Sequence, residues 1–264
     1  MLKLSLAGCT GRMGQVVLQE ITQSTAVDLI GALTRPGNPL VGQEIGDLIG
    51  KPPLNLFITD SPKQAFAEAD VIIDFSCPEA LNTQLQEAIR QQKPYVLCVT
   101  GLNEYHSKIL AEASKKIPLI NAPNTSLGIA VLRKFSYLAA KILGPSYDIS
   151  IVEMHQRQKA DAPSGTSLSI AKALTTLNHL KENAPPYPSL SPRPSGTIEC
   201  ATLRGGSAIC DHSVIFAGEK DLIKLEHRTL DRALFAQGAI KAAQWLFDKP
   251  TGLYTIDDVV EISL

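Results

Sequence analysis

The stretch Leu2-Lys3-Leu4-Ser5-Leu6-Ala7-Gly8-Cys9-Thr10-Gly11-Arg12-Met13-Gly14 decides the fold. Leu2–Ala7 is a short apolar run and reads as a strand. Glycines stand at 8, 11 and 14, and Met13–Ile21 then carries helical spacing. A glycine-rich turn between a strand and a helix is the context a dinucleotide-binding loop requires. Glycines let the backbone approach a pyrophosphate, and the helix N-terminus offers N–H groups to the anion. The spacing is G-x-x-G-x-x-G rather than G-x-G-x-x-G, so a plain tight turn is the competing reading.

The same alternation continues outward. Val27–Leu33, Asp70–Phe75, Tyr95–Val99 and Pro118–Ala122 are apolar, strand-like runs, and Thr34–Gly50 is loop-like. Helices are expected to start at Asp60-Ser61-Pro62 and Ser76-Cys77-Pro78, where a capping residue precedes a proline. The second of these puts Leu81, Leu85, Ala88 and Ile89 on one face, and Asn103–Lys116 is amphipathic. Continuous apolar strands separated by helices predict buried parallel strands, hence an α/β, Rossmann-type doubly wound sheet. NAD-specific sheets usually end the second strand in Asp or Glu. Here it ends Leu33-Thr34-Arg35, so Arg35, with Arg12 as a second cation, suits a 2′-phosphate and favours NADPH. A solvated surface Arg35 is the alternative.

The pattern changes after Asn124. Leu127–Leu143 reads as a helix with Val131, Phe135, Leu138 and Ile142 inward, Tyr147–Glu153 as a strand and Ser164–Leu177 as a helix. Asn183–Pro194 holds five prolines in twelve residues and must be a loop. Gly196–Leu203, Ala208–Ala217 and Asp221–Arg228 are strand-like, joined by Gly205-Gly206 and Gly218-Glu219-Lys220, which suggests an antiparallel meander. Two domains follow. Residues 1–125 bind dinucleotide, and 126–232 form an α+β substrate-binding and oligomerisation domain with an open antiparallel or mixed sheet. The C-terminal segment 233–264, with a helix over Ala233–Phe247, is expected to pack back on the first domain.

Composition sets the limits. The chain has 264 residues, 44% hydrophobic and 19% charged, with a net charge of −1. That gives enough apolar material for a core and no basic footprint for nucleic acid. No apolar run approaches the roughly 18 residues of a membrane helix. Leu6-Ala7-Gly8-Cys9 has the form of a lipoprotein cleavage box, but too few residues precede it for a signal peptide of about 15–30. The five cysteines, at 9, 77, 98, 200 and 210, are scattered and lack a C-x-x-C pair. This fits reduced thiols in a cytoplasm, mostly buried as small hydrophobes.

The densest polar cluster is Glu153-Met154-His155-Gln156-Arg157-Gln158-Lys159-Ala160-Asp161-Ala162-Pro163-Ser164-Gly165-Thr166. His155 is a candidate proton donor, since an imidazole titrates near neutrality. Lys159 supplies a compact positive charge. Ser164-Gly165-Thr166 begins a helix, so its N–H groups and the Thr166 hydroxyl form an anion site. Together they suit a small carboxylate that receives hydride and a proton. An exposed His155–Lys159 loop pair and a merely capping Ser164 are the competing readings. His106, His179, His212 and His227 lack such neighbours in sequence and read as structural. No His, Asp or Glu spacing argues for a metal.

The Glu153–Thr166 segment resembles the motif E-x-H-H-x-x-K-x-D-A-P-S-G-T of the 4-hydroxy-tetrahydrodipicolinate reductase (dihydrodipicolinate reductase) family, and the likeness runs from the Gly8 loop to Gly252-Leu253-Tyr254. The resemblance implies NAD(P)H-dependent reduction of 4-hydroxy-tetrahydrodipicolinate in lysine and diaminopimelate biosynthesis, by a cytoplasmic homotetramer assembled through its open sheets. It implies His155 as general acid, Lys159 as the charge-stabilising partner, and Gln156, Gly165 and Thr166 at the substrate. Gly8, Thr10, Gly11, Arg12, Met13 and Gly14 match the pyrophosphate loop, and Thr34 and Arg35 the ribose position. Cys98, Val99 and Thr100 match the G-T-T-G turn near the nicotinamide. Ala122, Pro123, Asn124 and Thr125 match the segment at the interdomain hinge. The family's second histidine is Gln156 here, the G-T-T-G turn reads Cys98-Val99-Thr100-Gly101, and Thr34 stands at the acidic ribose contact. Another two-domain NADP oxidoreductase and a non-catalytic NADPH-sensing module are the competing functions.

Overall fold

A computed structural model describes residues 1–177, 180–182 and 193–261. The expectations for His179 and for most of the proline-rich Asn183–Pro194 stretch lie outside the described residues. The elements in chain order are β1 (Leu2–Ala7), α1 (Arg12–Gln23), β2 (Val27–Leu33), α2 (Ile45–Ile49), α3 (Pro62–Phe66), β3 (Val71–Asp74), α4 (Pro78–Arg90), β4 (Tyr95–Leu97), α5 (Glu104–Ala113) and β5 (Pro118–Asn121). After these come α6 (Leu127–Leu143), β6 (Asp148–His155), α7 (Gly165–Leu174), β7 (Lys181–Glu182), β8 (Thr197–Arg204), β9 (Cys210–Ala217), β10 (Leu222–Arg228), α8 (Ala233–Leu246), β11 (Gly252–Tyr254) and α9 (Ile256–Val259). The chain divides into two compact units, Met1–Ser126 with Arg232–Leu264, and Leu127–Asp231.

In the first unit six parallel strands run in the order β11-β5-β4-β3-β1-β2. β3 and β4 are buried at every residue, as strands covered on both faces must be. Ser61 and Cys77 cap α3 and α4, each followed by a proline in the first turn. α4 turns Leu81, Leu85 and Ala88 into a core shared with Phe66, Tyr95 and Leu119. α8 carries small residues on its buried face and packs on α1. A side chain at Gly238 would sit 1.8 Å from the Thr125 carbonyl, so only glycine allows that approach. The expected Thr34–Gly50 loop contains a short helix, α2. Glu44 caps it by accepting from the Gly46 amide, and Gly50 ends it in the left-handed conformation.

In the second unit five strands run in the order β10-β9-β6-β8-β7. β6 pairs parallel with β8 and antiparallel with β9, so the sheet is mixed. The expected meander is corrected here, because β8 and β9 are not neighbours and β6 lies between them. Five residues after Arg204 carry the chain across two interstrand spacings, about 10 Å. The inward face of β6 runs Ile149, Ile151, Glu153, His155, apolar at one end and polar at the other. Ile170 and Leu174 of α7 close the apolar end with Val214 and Phe216.

The inward face expected for α6 is also corrected. Ile129, Leu132, Ser136 and Ala140 are buried, whereas Phe135 is 46% and Ile142 74% exposed. This helix is apolar on most sides, so spacing could not select a face. The face that is buried includes a close approach: a side chain at Gly128 would lie 2.5 Å from the His227 ring.

Candidate active site

In the first unit the glycine loop leaves β1 at the point where the strand order reverses, where open α/β sheets bind ligands. Gly8 has φ +79°, and a side chain there would meet the Phe75 carbonyl at 2.6 Å. A side chain at Gly14 would lie 2.1 Å from the Gly8 carbonyl, so this glycine seats α1 on the loop. Gly11 caps α1 with no side-chain acceptor, and the first turn holds no acidic residue. The uncapped amides and the exposed Arg12 fit the phosphates of a dinucleotide. Cys9 is buried and its thiol is pushed up to about 12 by that burial, so it serves the core.

The other expected cofactor residues divide by exposure. Arg35 is exposed at the end of β2, but Thr34 is buried. The Thr34 hydroxyl is tied to the Thr10 hydroxyl at 2.8 Å, and Asn38 Nδ2 donates to both. Asn38 is a residue the sequence reading missed. The side chains of Cys98 and Val99 lie in the core, so this turn offers a ligand Thr100 and backbone. Ala122 is also buried. Asn124 Oδ1 accepts from the Ser126 amide, and the Thr125 hydroxyl donates to the Phe235 carbonyl at 2.6 Å, which ties this segment to α8.

In the second unit the register gathers a polar cluster. Glu153 stands opposite Thr202 on one side and His212 on the other, and His155 stands opposite Arg204 and Cys210. The Glu153 carboxylate is sealed from solvent. It accepts from the Ser164 amide at 3.0 and 3.1 Å, the Ser167 hydroxyl at 2.5 Å, the Thr202 hydroxyl at 3.2 Å and the Arg204 guanidinium at 3.2 and 3.3 Å. His212 Nε2 is 3.6 Å away. Burial pushes this carboxyl up, but these donors outweigh it and hold it far below the usual carboxylate range. Burial opposes a charge on His212, and Cys210 and Glu153 override it, so its pKa is raised.

The neighbours that His212 lacks in sequence are thus supplied in space. It is wholly buried, 3.3 Å from Ser164 Oγ, and its ring packs edge-on to His155 with centroids 5.1 Å apart. Strand register creates this contact across 57 positions of sequence, so no local signal announced it. His106 does have a structural role, closing a capping box with Asn103.

His155 is only 6% exposed. Burial lowers its pKa to about 4; Glu153 raises it, while His212, Lys159 and Arg204 add to the lowering. Lys159 is half-buried and paired to Asp161 at 2.7 Å. Arg204 donates to the carbonyls of Lys159, at 3.2 Å, and of Asp161. Ser164 caps α7 through the Ser167 amide. The amides of Gly165 and Thr166 lie in the first turn, which has no intrahelical acceptor for them. Gln156 follows His155 and is half-buried. Glu153, His155 and His212 could in principle hold a metal, their ligand atoms lying within 4.8 Å of one another. The guanidinium and the hydroxyl and amide donors already on Glu153 leave it poorly suited to a cation.

Comparison with known proteins agrees along the whole chain. Residues 2–125 match the family model for the N-terminus of dihydrodipicolinate reductase, and residues 128–260 that for its C-terminus. The 4-hydroxy-tetrahydrodipicolinate reductase of Anaplasma marginale is 40% identical over 98% of this chain and 99% of its own length. That of Bartonella bacilliformis is 38% identical over 99% of this chain and 100% of its own. Among solved structures, a dipicolinate-bound dihydrodipicolinate reductase from Paenisporosarcina sp. TG-14 superposes with a TM-score of 0.79 at 20% identity, covering 98% of this chain and all of that one. An amine dehydrogenase from Mycobacterium smegmatis shares the fold, with a TM-score of 0.71 at 14% identity over 100% of this chain and 97% of that one. With family models matched across both halves and relatives near 40% identity over the full length, the chain belongs to the dihydrodipicolinate reductase family.

Proposed function

We propose that the chain reduces 4-hydroxy-tetrahydrodipicolinate to tetrahydrodipicolinate, in lysine and diaminopimelate biosynthesis, with a nicotinamide dinucleotide as hydride donor. Hydride and one proton are added and the 4-hydroxyl leaves as water. The observation that carries this reading is the convergence of His155, the Lys159 loop and the first turn of α7 on one polar end of the second unit's sheet. When bound, reduced nicotinamide supplies the hydride. Lys159 and the amides of Gly165 and Thr166 hold substrate carboxylates, with Gln156 as a neutral hydrogen-bonding partner. His155 donates the proton. Its depressed pKa means it is neutral in the free enzyme at neutral pH. A dianionic substrate brings the negative charge that favours the imidazolium, so the donor is loaded as substrate binds.

NADPH is the favoured donor, because β2 ends without a carboxylate and with an exposed Arg35. We place the enzyme in the cytoplasm as a homotetramer. Leu203 and Leu222, 53% and 61% exposed, stand on the outer face of the mixed sheet with Met154 and offer an apolar surface for assembly. Among the described residues no helix is long and apolar enough to cross a membrane.

The test follows the absorbance of the reduced nicotinamide, with substrate made in situ by the preceding synthase. Substrate-dependent oxidation, faster with NADPH, is the expected result. Equal rates keep the reaction and discard Arg35 as selector. No oxidation with either nucleotide, by a folded chain that binds it, overturns the reading and favours a sensor.

A further inference from the structure

The Glu153 carboxylate joins four segments of the second unit. It lies on β6 two residues before His155, takes the amide and hydroxyl that open α7, takes Thr202 and Arg204 of β8, and faces His212 of β9. Arg204 carries the connection further. One edge of its guanidinium meets Glu153, while Nε and Nη2 donate to the carbonyls of Lys159 and Asp161. Among the described residues the buried Nδ1 of His155 has no hydrogen-bond partner, and Glu153 Oε1 stands 3.9 Å from it.

We propose that Glu153 and Arg204 act as one positioning pair. Together they fix the Lys159 loop and the first turn of α7 relative to His155, and they set the charge that His155 faces. The inference rests on the reading of His155 as proton donor. Neither residue needs to touch substrate. Arg204 presents a planar fork that reaches a carboxylate and two carbonyls at once, which a lysine ammonium cannot reproduce.

The charges facing His155 are Glu153 on its own strand, Arg204 on β8, His212 on β9 and Lys159 on the loop. Only Glu153 favours the imidazolium. Removing its charge lowers the pKa of His155, and removing the charge of Arg204 raises it. Glu153 stays ionised without Arg204, because Ser164, Ser167 and Thr202 still donate to it.

The experiment compares the full-length wild type with Glu153→Gln, Arg204→Gln and Arg204→Lys. The pH profile of turnover, the KM for substrate and nucleotide affinity are measured for each. Activity needs the protonated donor, so it falls on the alkaline side. Glu153→Gln is expected to move that limb to lower pH and Arg204→Gln to higher pH, each with roughly 10–100-fold lower kcat/KM, the size of one lost charge-assisted bond. Arg204→Lys keeps the charge and loses the fork, so the limb stays and the substrate KM rises about 10-fold. Nucleotide affinity is expected to hold throughout. Limbs that move together, or not at all, in folded variants overturn the proposal. If Glu153→Gln does not fold, the two Arg204 variants decide by themselves: a limb shared by both, or an unchanged KM, overturns it. A wild type inactive on the substrate overturns the functional reading and this one with it; an active wild type with unresponsive variants overturns this one alone.

Discussion

Asp74 and Glu153 are both fully buried carboxylates, each near the C-terminal end of a strand, and their surroundings drive them in opposite directions. Asp74, at the end of β3, accepts from the Tyr95 hydroxyl at 2.7 Å and the Ser76 amide at 2.7 Å, both neutral donors. Burial dominates and raises its pKa. Glu153 is likewise shielded from solvent, but a guanidinium, two hydroxyls and an amide converge on it, and its pKa falls. Burial therefore does not decide whether a carboxyl holds charge; the number and charge of its donors do. On the reading proposed above, the first unit meets its ligand with backbone amides and surface cations around glycines. The second builds its site from charges buried together.

The strongest challenge to this contrast is chemical. If the second unit holds the proton-transfer machinery, His155→Ala lowers turnover by about 10²–10⁴-fold, the usual range for a general acid, while nucleotide affinity is unchanged. Lys159→Ala is expected in the same range. Normal kcat and KM in both variants would remove the machinery from that unit.

Stability sharpens the comparison next. Glu153→Leu leaves the Arg204 charge and the Ser164 amide without their acceptor. It is expected to cost about 3–5 kcal/mol, the range for breaking a buried ion pair by removing one partner. Urea unfolding measures this, and a cost below about 1 kcal/mol would show the cluster to be dispensable.

The first unit's ligand contacts are smaller and more exposed. Arg35→Ala is expected to weaken NADPH binding by roughly 10–100-fold, the size of one charge-assisted contact, and to leave NADH binding unchanged. Titration of both nucleotides checks it; parallel losses would mean that Arg35 does not read the 2′-phosphate.

The smallest effects belong to Asp74. In Asp74→Asn the new amide can donate to the Tyr95 hydroxyl, which already lies 3.0 Å from Gln84 Oε1, so every bond survives and the expected cost is under about 1 kcal/mol. Acid separates the two carboxyls further. Glu153 has a folded pKa below its ordinary 4.5, so its stabilisation is present above that pH and is lost as pH falls. Asp74 has a folded pKa above 3.8, so its ionisation works against folding, and its contribution is most favourable at low pH and is lost as pH rises through the shifted value. Hydrogen exchange below pH about 4.5 is expected to release amides of β6 and α7 before those of β3 and β4. The reverse order would break the comparison.

Much of this architecture was legible in the residues. Leu2–Ala7, the glycine loop and Val27–Leu33 announce a strand, turn and strand because a parallel sheet buried on both faces demands unbroken apolar runs. Prolines after Ser61 and Cys77 mark helix starts by removing an N–H that has no acceptor there. The segment from Glu153 to Thr166 could be read because its polar residues lie within fourteen positions. Less local features were not legible. The face of α6 was hidden by apolar residues on most sides of the helix. Asn38, Arg204 and His212 were passed over because their partners lie far away in sequence or on another strand.

The sequence by itself determined the strand–loop–helix start, the dinucleotide chemistry of the first unit, and the identity of the residues proposed to donate the proton and hold carboxylate. These depend on local composition and spacing, which the chain carries regardless of how it folds back on itself. The tertiary structure alone decided that β6 inserts between β8 and β9. That insertion sets Glu153 opposite both Thr202 and His212, and His155 opposite Arg204. Strand register acts between residues about fifty positions apart, and the donor set around a buried carboxyl is a property of that register.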